Sequence, residues 1–205
     1  PTMTPTGPDY DGSGLVNLAA ELEIRLAGTS PSPGLRPGLR ELVPAGESYV
    51  LVMFDGLGDH QLDHQRAHAL AASRAAALDA PFPSTTTVSL ATVATALAPS
   101  RHGLIGYQMW LPEVGEVVNT IRWTTLWRDP VEFDPTPLLP APNLWERLAA
   151  AGREPVTVQP ANFAGTRLSR ALYRGCRFEG ITTIEEWVRA TADLAAVPGR
   201  LVFAY

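Results

Sequence analysis

Lysine is missing from this chain of 205 residues: all 16 basic side chains are arginine. They are scattered rather than clustered, so they read as the codon usage of a GC-rich genome and not as a phosphate-binding patch. Positive charge is short overall. Twenty-one acidic residues leave a net charge of −5, which argues against a nucleic-acid partner. Cysteine is nearly absent, since Cys176 stands alone. No internal disulfide can form and no oxidising compartment is implied. Cys176 itself reads as a small buried residue in a strand over 174–179. No apolar run is long enough to span a bilayer, so no membrane partner is expected. The N-terminal stretch is polar and rich in proline and glycine, unlike a signal peptide. Residues 1–13 are expected to be disordered, and the cytoplasm is the default location.

The residues that are present suit a globular domain, with 45% hydrophobic and 18% charged. The length fits one domain over 1–205. The chain does not open on Met, and it closes on the apolar run Leu201–Tyr205, which reads as a buried strand. A truncated protein lacking its C-terminal part is therefore expected.

Apolar periodicity predicts a helix over 14–27, ended by Gly28 and the proline-rich run 31–37. The continuous run Tyr49–Phe54 predicts a strand buried on both faces. Asp55-Gly-Leu-Gly58 turns the chain into a long alanine-rich helix, about 61–78. An extended segment, 81–86, leads into a helix over 87–97 that Pro99 stops. Residues 107–111 and 116–123 read as a hairpin. Five prolines make 128–142 a loop. Asn143 with Glu146, and Thr183 with Glu186, are capping-box pairs that open helices. Strands are expected at 154–159, 174–179 and 200–205. Strands alternating with helices mean an α/β fold, a largely parallel sheet with helices on both faces.

In such sheets, sites form at the carboxyl ends of strands. Asp55 lies there, directly after the first strand. A carboxylate held by a glycine turn can ligate a divalent cation, or it can simply cap the turn. Thr86 lies where a helix starts, beside Thr85 and Thr87. Free N–H groups and the helix dipole favour an anion there. The hydroxyl is a nucleophile in one reading and a plain N-cap in the other. A cation at Asp55 could activate it without a separate base. His60, His64 and His68 repeat at four-residue spacing. On one straight helix the outer two would be about 12 Å apart, so a solvated polar face is the expectation. Asp55-Gly-Leu-Gly58 fits neither a dinucleotide fingerprint nor a P-loop.

Val50-Leu-Val-Met-Phe-Asp-Gly-Leu-Gly58, Pro81-Phe-Pro-Ser-Thr-Thr86 and Leu97-Ala-Pro-Ser-Arg-His-Gly-Leu104, in that order, resemble the alkaline phosphatase superfamily. The nucleotide pyrophosphatase/phosphodiesterase branch is the nearest. The resemblance covers about residues 48–110. It implies an alkaline-phosphatase-like fold and a hydrolase acting on phosphate-ester or nucleotide substrates. It implies two divalent metal ions, zinc in kind, with Asp55 a ligand of one. Thr86 would contact that ion, attack phosphorus and form a phosphothreonine that water hydrolyses. Thr86 is chosen over Thr85 and Thr87 by ungapped counting from His102-Gly103, and His102 is read as structural. The Thr87 backbone would face the bound phosphate.

Two departures stand out. Tyr107 occupies the place of the family's phosphate-binding Asn, with Gln108 and Asn119 as substitutes. The family's further ligands, Asp-x-x-x-His, Asp-His and a final His, have no match. The alternatives are a phosphomonoesterase, sulfatase or phosphonate hydrolase of the same superfamily, or a non-catalytic domain that binds anions at the 87–97 helix.

Overall fold

Side chains on the central strands of a parallel sheet alternate between two apolar layers, and this alternation organises the computed structural model, which describes residues 7–205. In chain order its elements are α1 (Leu15–Ala27), β1 (Tyr49–Val52), α2 (His68–Ala72), α3 (Thr86–Thr95), α4 (Pro99–His102), β2 (Gln108–Leu111), β3 (Glu116–Asn119) and β4 (Thr124–Thr125). There follow α5 (Leu144–Ala150), β5 (Glu154–Pro160), α6 (Arg167–Leu172), β6 (Arg177–Ile181), α7 (Ile184–Ala195) and β7 (Arg200–Ala204). The main sheet has the order β1-β7-β5-β6, and every pairing in it is parallel. β2, β3 and β4 form a separate antiparallel sheet.

Leu201 and Phe203 face one layer, packed with Ala19, Leu22, Ala91, Trp145 and Leu172 of α1, α3, α5 and α6. Val202 and Ala204 face the other, with Val156 and Val158, against Leu194, Trp187 and Ala190 of α7. Helices therefore cover both faces of a parallel sheet, as the alternation of elements predicts. Trp145 is wholly buried, and its indole N–H donates to the Leu172 carbonyl at 2.9 Å.

α1 carries two buried carboxylates. Glu21 pairs with Arg25 at 2.8 Å and Arg40 at 3.2 Å. Glu23 pairs with Arg147 of α5, whose Nη2 donates to Oε2 at 2.9 Å and to the Thr95 carbonyl at 3.0 Å. Charges removed from water persist only when compensated in this way. Both predicted N-caps form, since Asn143 accepts from the Glu146 N–H and Thr183 from that of Glu186, but only the first is a full capping box: the Glu186 carboxylate accepts from the Thr182 N–H at 2.8 Å instead of that of Thr183.

Several expectations are corrected. The helix over 61–78 is not continuous. Two short 3₁₀ segments, Asp59–Asp63 and Gln65–Ala67, precede α2, and none of the three has a buried residue. Alanine propensity alone does not hold a long helix without an apolar stripe to pack. β1 is not buried on both faces. It lies at the sheet edge, with Val50, Val52 and Phe54 exposed. Pro99 does not merely stop a helix but starts α4, where its fixed φ suits the first position. The strand expected from 174 begins at Arg177, leaving Cys176 half-buried ahead of it. Burial pushes the Cys176 thiol up, away from reactivity. Residues 1–6 of the stretch expected to be disordered lie outside the described residues. From Asp9 on, the chain is tied down: the Asp9 N–H donates to Asp79 at 3.0 Å and the Asp79 N–H to the Ser13 carbonyl at 2.9 Å. Among the described residues no helix is long and apolar enough to cross a membrane.

Candidate active site

β1 and β7 are neighbours in the parallel sheet, so the residues that follow them emerge side by side. Asp55 comes three residues after β1, and Tyr205 directly follows β7. α3 points its N-terminus at the same edge, and Thr86 is its first helical residue. The Thr86 hydroxyl donates to Asp55, 3.3 Å from Oδ1 and 3.4 Å from Oδ2. Thr85, the N-cap, makes no side-chain cap. The first-turn N–H groups therefore keep their donor capacity toward an anion.

The three threonines take different roles. The Thr85 hydroxyl is buried without a partner among the described residues. The Thr87 side chain is wholly buried and donates to the Gly106 carbonyl at 3.2 Å. Only Thr86 presents its hydroxyl to Asp55. For Thr87, the backbone alone remains available to a ligand.

The turn after Asp55 is held from within. Gly56 has φ +68, a conformation costly for other residues. The Gly58 N–H donates to Gln61 Oε1 at 2.9 Å.

Two cavities meet at Asp55, Thr86 and Tyr205. One, of about 420 Å³, has apolar walls from Leu168, Leu172 and Phe163 with Asn162 among them. The other, of about 700 Å³, reaches Ser84, Ser89, Gln61 and Tyr107. Leu90 and Ile121 line both. Asp55 is the one acidic or basic residue among the described residues that line either cavity. A phosphate entering here would meet a carboxylate and no protein cation. Coulomb repulsion at close range makes that unfavourable without a counter-charge.

The donors present fit one part of a cation site. A carboxylate and a hydroxyl are oxygen donors suited to a divalent ion, and they face each other. They do not complete a coordination sphere. Among the described residues no three His, Cys, Asp or Glu side chains cluster to hold a metal. His60, His64 and His68 are exposed and line neither cavity, and His64 Nδ1 accepts from the Arg66 N–H.

Tyr107 lines the larger cavity, as a substrate contact requires. Asn119 does not substitute for it. Its Oδ1 accepts from the Ile121 and Arg122 N–H groups at 3.1 and 2.9 Å, so it shapes a turn. Gln108 is in neither lining. His102 is buried. Its Nδ1 accepts from the Leu104 N–H at 3.2 Å, which leaves Nε2–H to donate to Thr92 Oγ1 at 3.1 Å. Burial lowers its pKa to about 4, so the ring is neutral and holds the bend after α4.

Sequence reasoning misses Tyr205 and Asn162. Burial, and then the neighbouring Asp55 carboxylate, push the Tyr205 phenol up, so it stays a neutral donor. Both residues stand at carboxyl ends of parallel strands, and that rule could have found them. α6 is missed as well, although Thr166 and Ser169 spell its cap.

No curated protein and no solved structure matches the chain. A protein-family model does, that of type I phosphodiesterase / nucleotide pyrophosphatase, over residues 49–194. The matched span runs from the start of β1 into the last turn of α7 and contains Asp55, Thr86 and Tyr107. With well over half of its length inside that match, the chain belongs to the type I phosphodiesterase / nucleotide pyrophosphatase family, within the alkaline phosphatase superfamily.

Proposed function

We propose that this chain carries the nucleophile side of a metal-dependent phosphodiester or nucleotide-pyrophosphate hydrolase. Family membership supports phosphoryl-transfer hydrolysis in general and substrates that are phosphate esters or nucleotides. The observation that carries the finer reading is the approach of the Thr86 hydroxyl to Asp55. Thr86 Oγ1 would attack phosphorus as the bond to the leaving oxygen breaks, giving a phosphothreonine. Water would then cleave that ester and restore the hydroxyl. Asp55 orients the hydroxyl through its hydrogen bond. The α3 N–H groups offer donors to the phosphoryl oxygens.

Two divalent cations, zinc by the resemblance, belong to this reading. Asp55 and Thr86 would hold one of them, with its sphere completed by water, substrate or groups outside the described residues. A bound cation would lower the hydroxyl pKa and offset charge on the phosphoryl group. The lone carboxylate in the linings supports that need, since no cationic side chain there offsets the charge of an anion.

The test is hydrolysis of bis-p-nitrophenyl phosphate with added zinc or manganese, together with mass spectrometry of acid-quenched protein. Thr86→Ala is expected to reduce turnover by at least about a thousandfold and to abolish the phosphopeptide containing residue 86. Undiminished turnover by that variant would overturn the assignment. Phosphate binding that needs no metal, with no turnover, would favour the anion-binding reading that α3 also supports.

A further inference from the structure

Thr120 is fully buried directly after β3, away from the cavity linings. Its backbone N–H donates to the Tyr107 carbonyl at 2.9 Å. Its hydroxyl lies 2.8 Å from the Gly106 carbonyl, 3.1 Å from that of Tyr107 and 3.4 Å from Thr87 Oγ1. One hydroxyl hydrogen serves one acceptor at a time, and the Gly106 contact is the shortest. Thr87 donates to the same carbonyl at 3.2 Å. Gly106 O is therefore shared by a side chain next to Thr86 and a side chain from the antiparallel sheet. Three segments meet there: the first turn of α3, the 106–107 stretch that carries Tyr107, and the end of β3.

We propose that Thr120 is a positioning residue, setting the Thr86 hydroxyl and the Tyr107 ring at a fixed separation across the larger cavity. The proposal rests on Thr86 being the attacking group. Its physical content is independent of that reading. Tyr107 stands on an exposed stretch, and no hydrogen bond from its own side chain anchors it among the described residues. Its carbonyl, together with that of Gly106, is what fixes it. A site that must place a nucleophile and a phosphate-binding hydroxyl together loses rate when either drifts by a fraction of an ångström. Buried hydroxyls in a shared network hold such a spacing with little freedom, because an unmade bond there has no water to replace it.

The test uses Thr120→Val, which removes the hydroxyl at nearly constant shape, and Thr120→Ser, which keeps it. In the valine variant, amide hydrogen exchange is expected to rise about tenfold in the segment at Thr120, whose N–H bonds to the Tyr107 carbonyl, and in the segment at Ser89, whose N–H bonds to the Thr85 carbonyl. Exchange in β5 and β7 should stay unchanged. The serine variant should exchange like the parent. Unchanged exchange in both segments, or an equal rise throughout the molecule, would overturn the proposal. In diester hydrolysis, Thr120→Val should lower kcat/KM about tenfold, and that loss should vanish in a Tyr107→Ala background. An undiminished effect in that background would show that Thr120 does not act through Tyr107. The exchange data decide the role of Thr120 whether or not the parent turns over diester, so failure of the proposed function and failure of this proposal are read separately.

Discussion

At the scale of single residues, the decisive contrast lies among three adjacent threonines. Backbone geometry at the start of α3 sends the Thr87 side chain inward to Gly106 and leaves Thr86 facing Asp55. The charge balance at this point yields a test of Asp55. Asp55→Asn preserves shape and removes the charge. It is expected to weaken zinc binding by about tenfold to a hundredfold, read by titration calorimetry on the purified chain. Undiminished affinity would remove Asp55 from the ligand set. Asp55 and Thr86 are legible in the sequence because each follows a strong local signal, a strand end and a helix start. Tyr205 is not. Its place beside them depends on β7 inserting next to β1, a pairing between segments about 150 residues apart, and no local pattern encodes which strands become neighbours.

At the scale of elements, the anchor of α1 is electrostatic as well as apolar. Glu23 is buried and depends on Arg147 of α5 for compensation. Arg147→Met should cost about 3 kcal/mol in urea unfolding, because it strands a charge in the interior. Adding Glu23→Leu should recover most of that loss. A single-variant cost near zero would mean that water reaches Glu23. The elements that the sequence predicts best are those with both a cap and a buried stripe, such as α5 and α7. The segment 59–78 shows the converse. Its alanines favour helix, but nothing packs on them, so propensity finds no tertiary support. The apolar composition of β1 suggests a central strand, yet order within a sheet is a property of the whole chain and not of four residues.

At the scale of the whole molecule, the neutral buried imidazole of His102 makes stability depend on pH. The folded-state pKa is about 4 against an ordinary 6.5. Above pH 6.5 neither state holds the proton. As pH falls below that value, the unfolded chain takes up a proton that the folded one refuses, so stability declines until about pH 4. The loss over that window amounts to about 3 kcal/mol. Unfolding measured across it should show a slope that His102→Asn removes, whatever that variant does to stability at pH 7. Glu154, held down by Arg200, adds a loss below its ordinary 4.5. The molecule's guanidinium groups behave differently. Each side chain that pins the α1 carboxylates is a guanidinium, from Arg25, Arg40 or Arg147, and guanidinium does not discharge in alkali. With no lysine in the chain, acetylation, carbamylation and other amine-directed modification find no side-chain target. The scaffold's ion pairs are chemically beyond their reach.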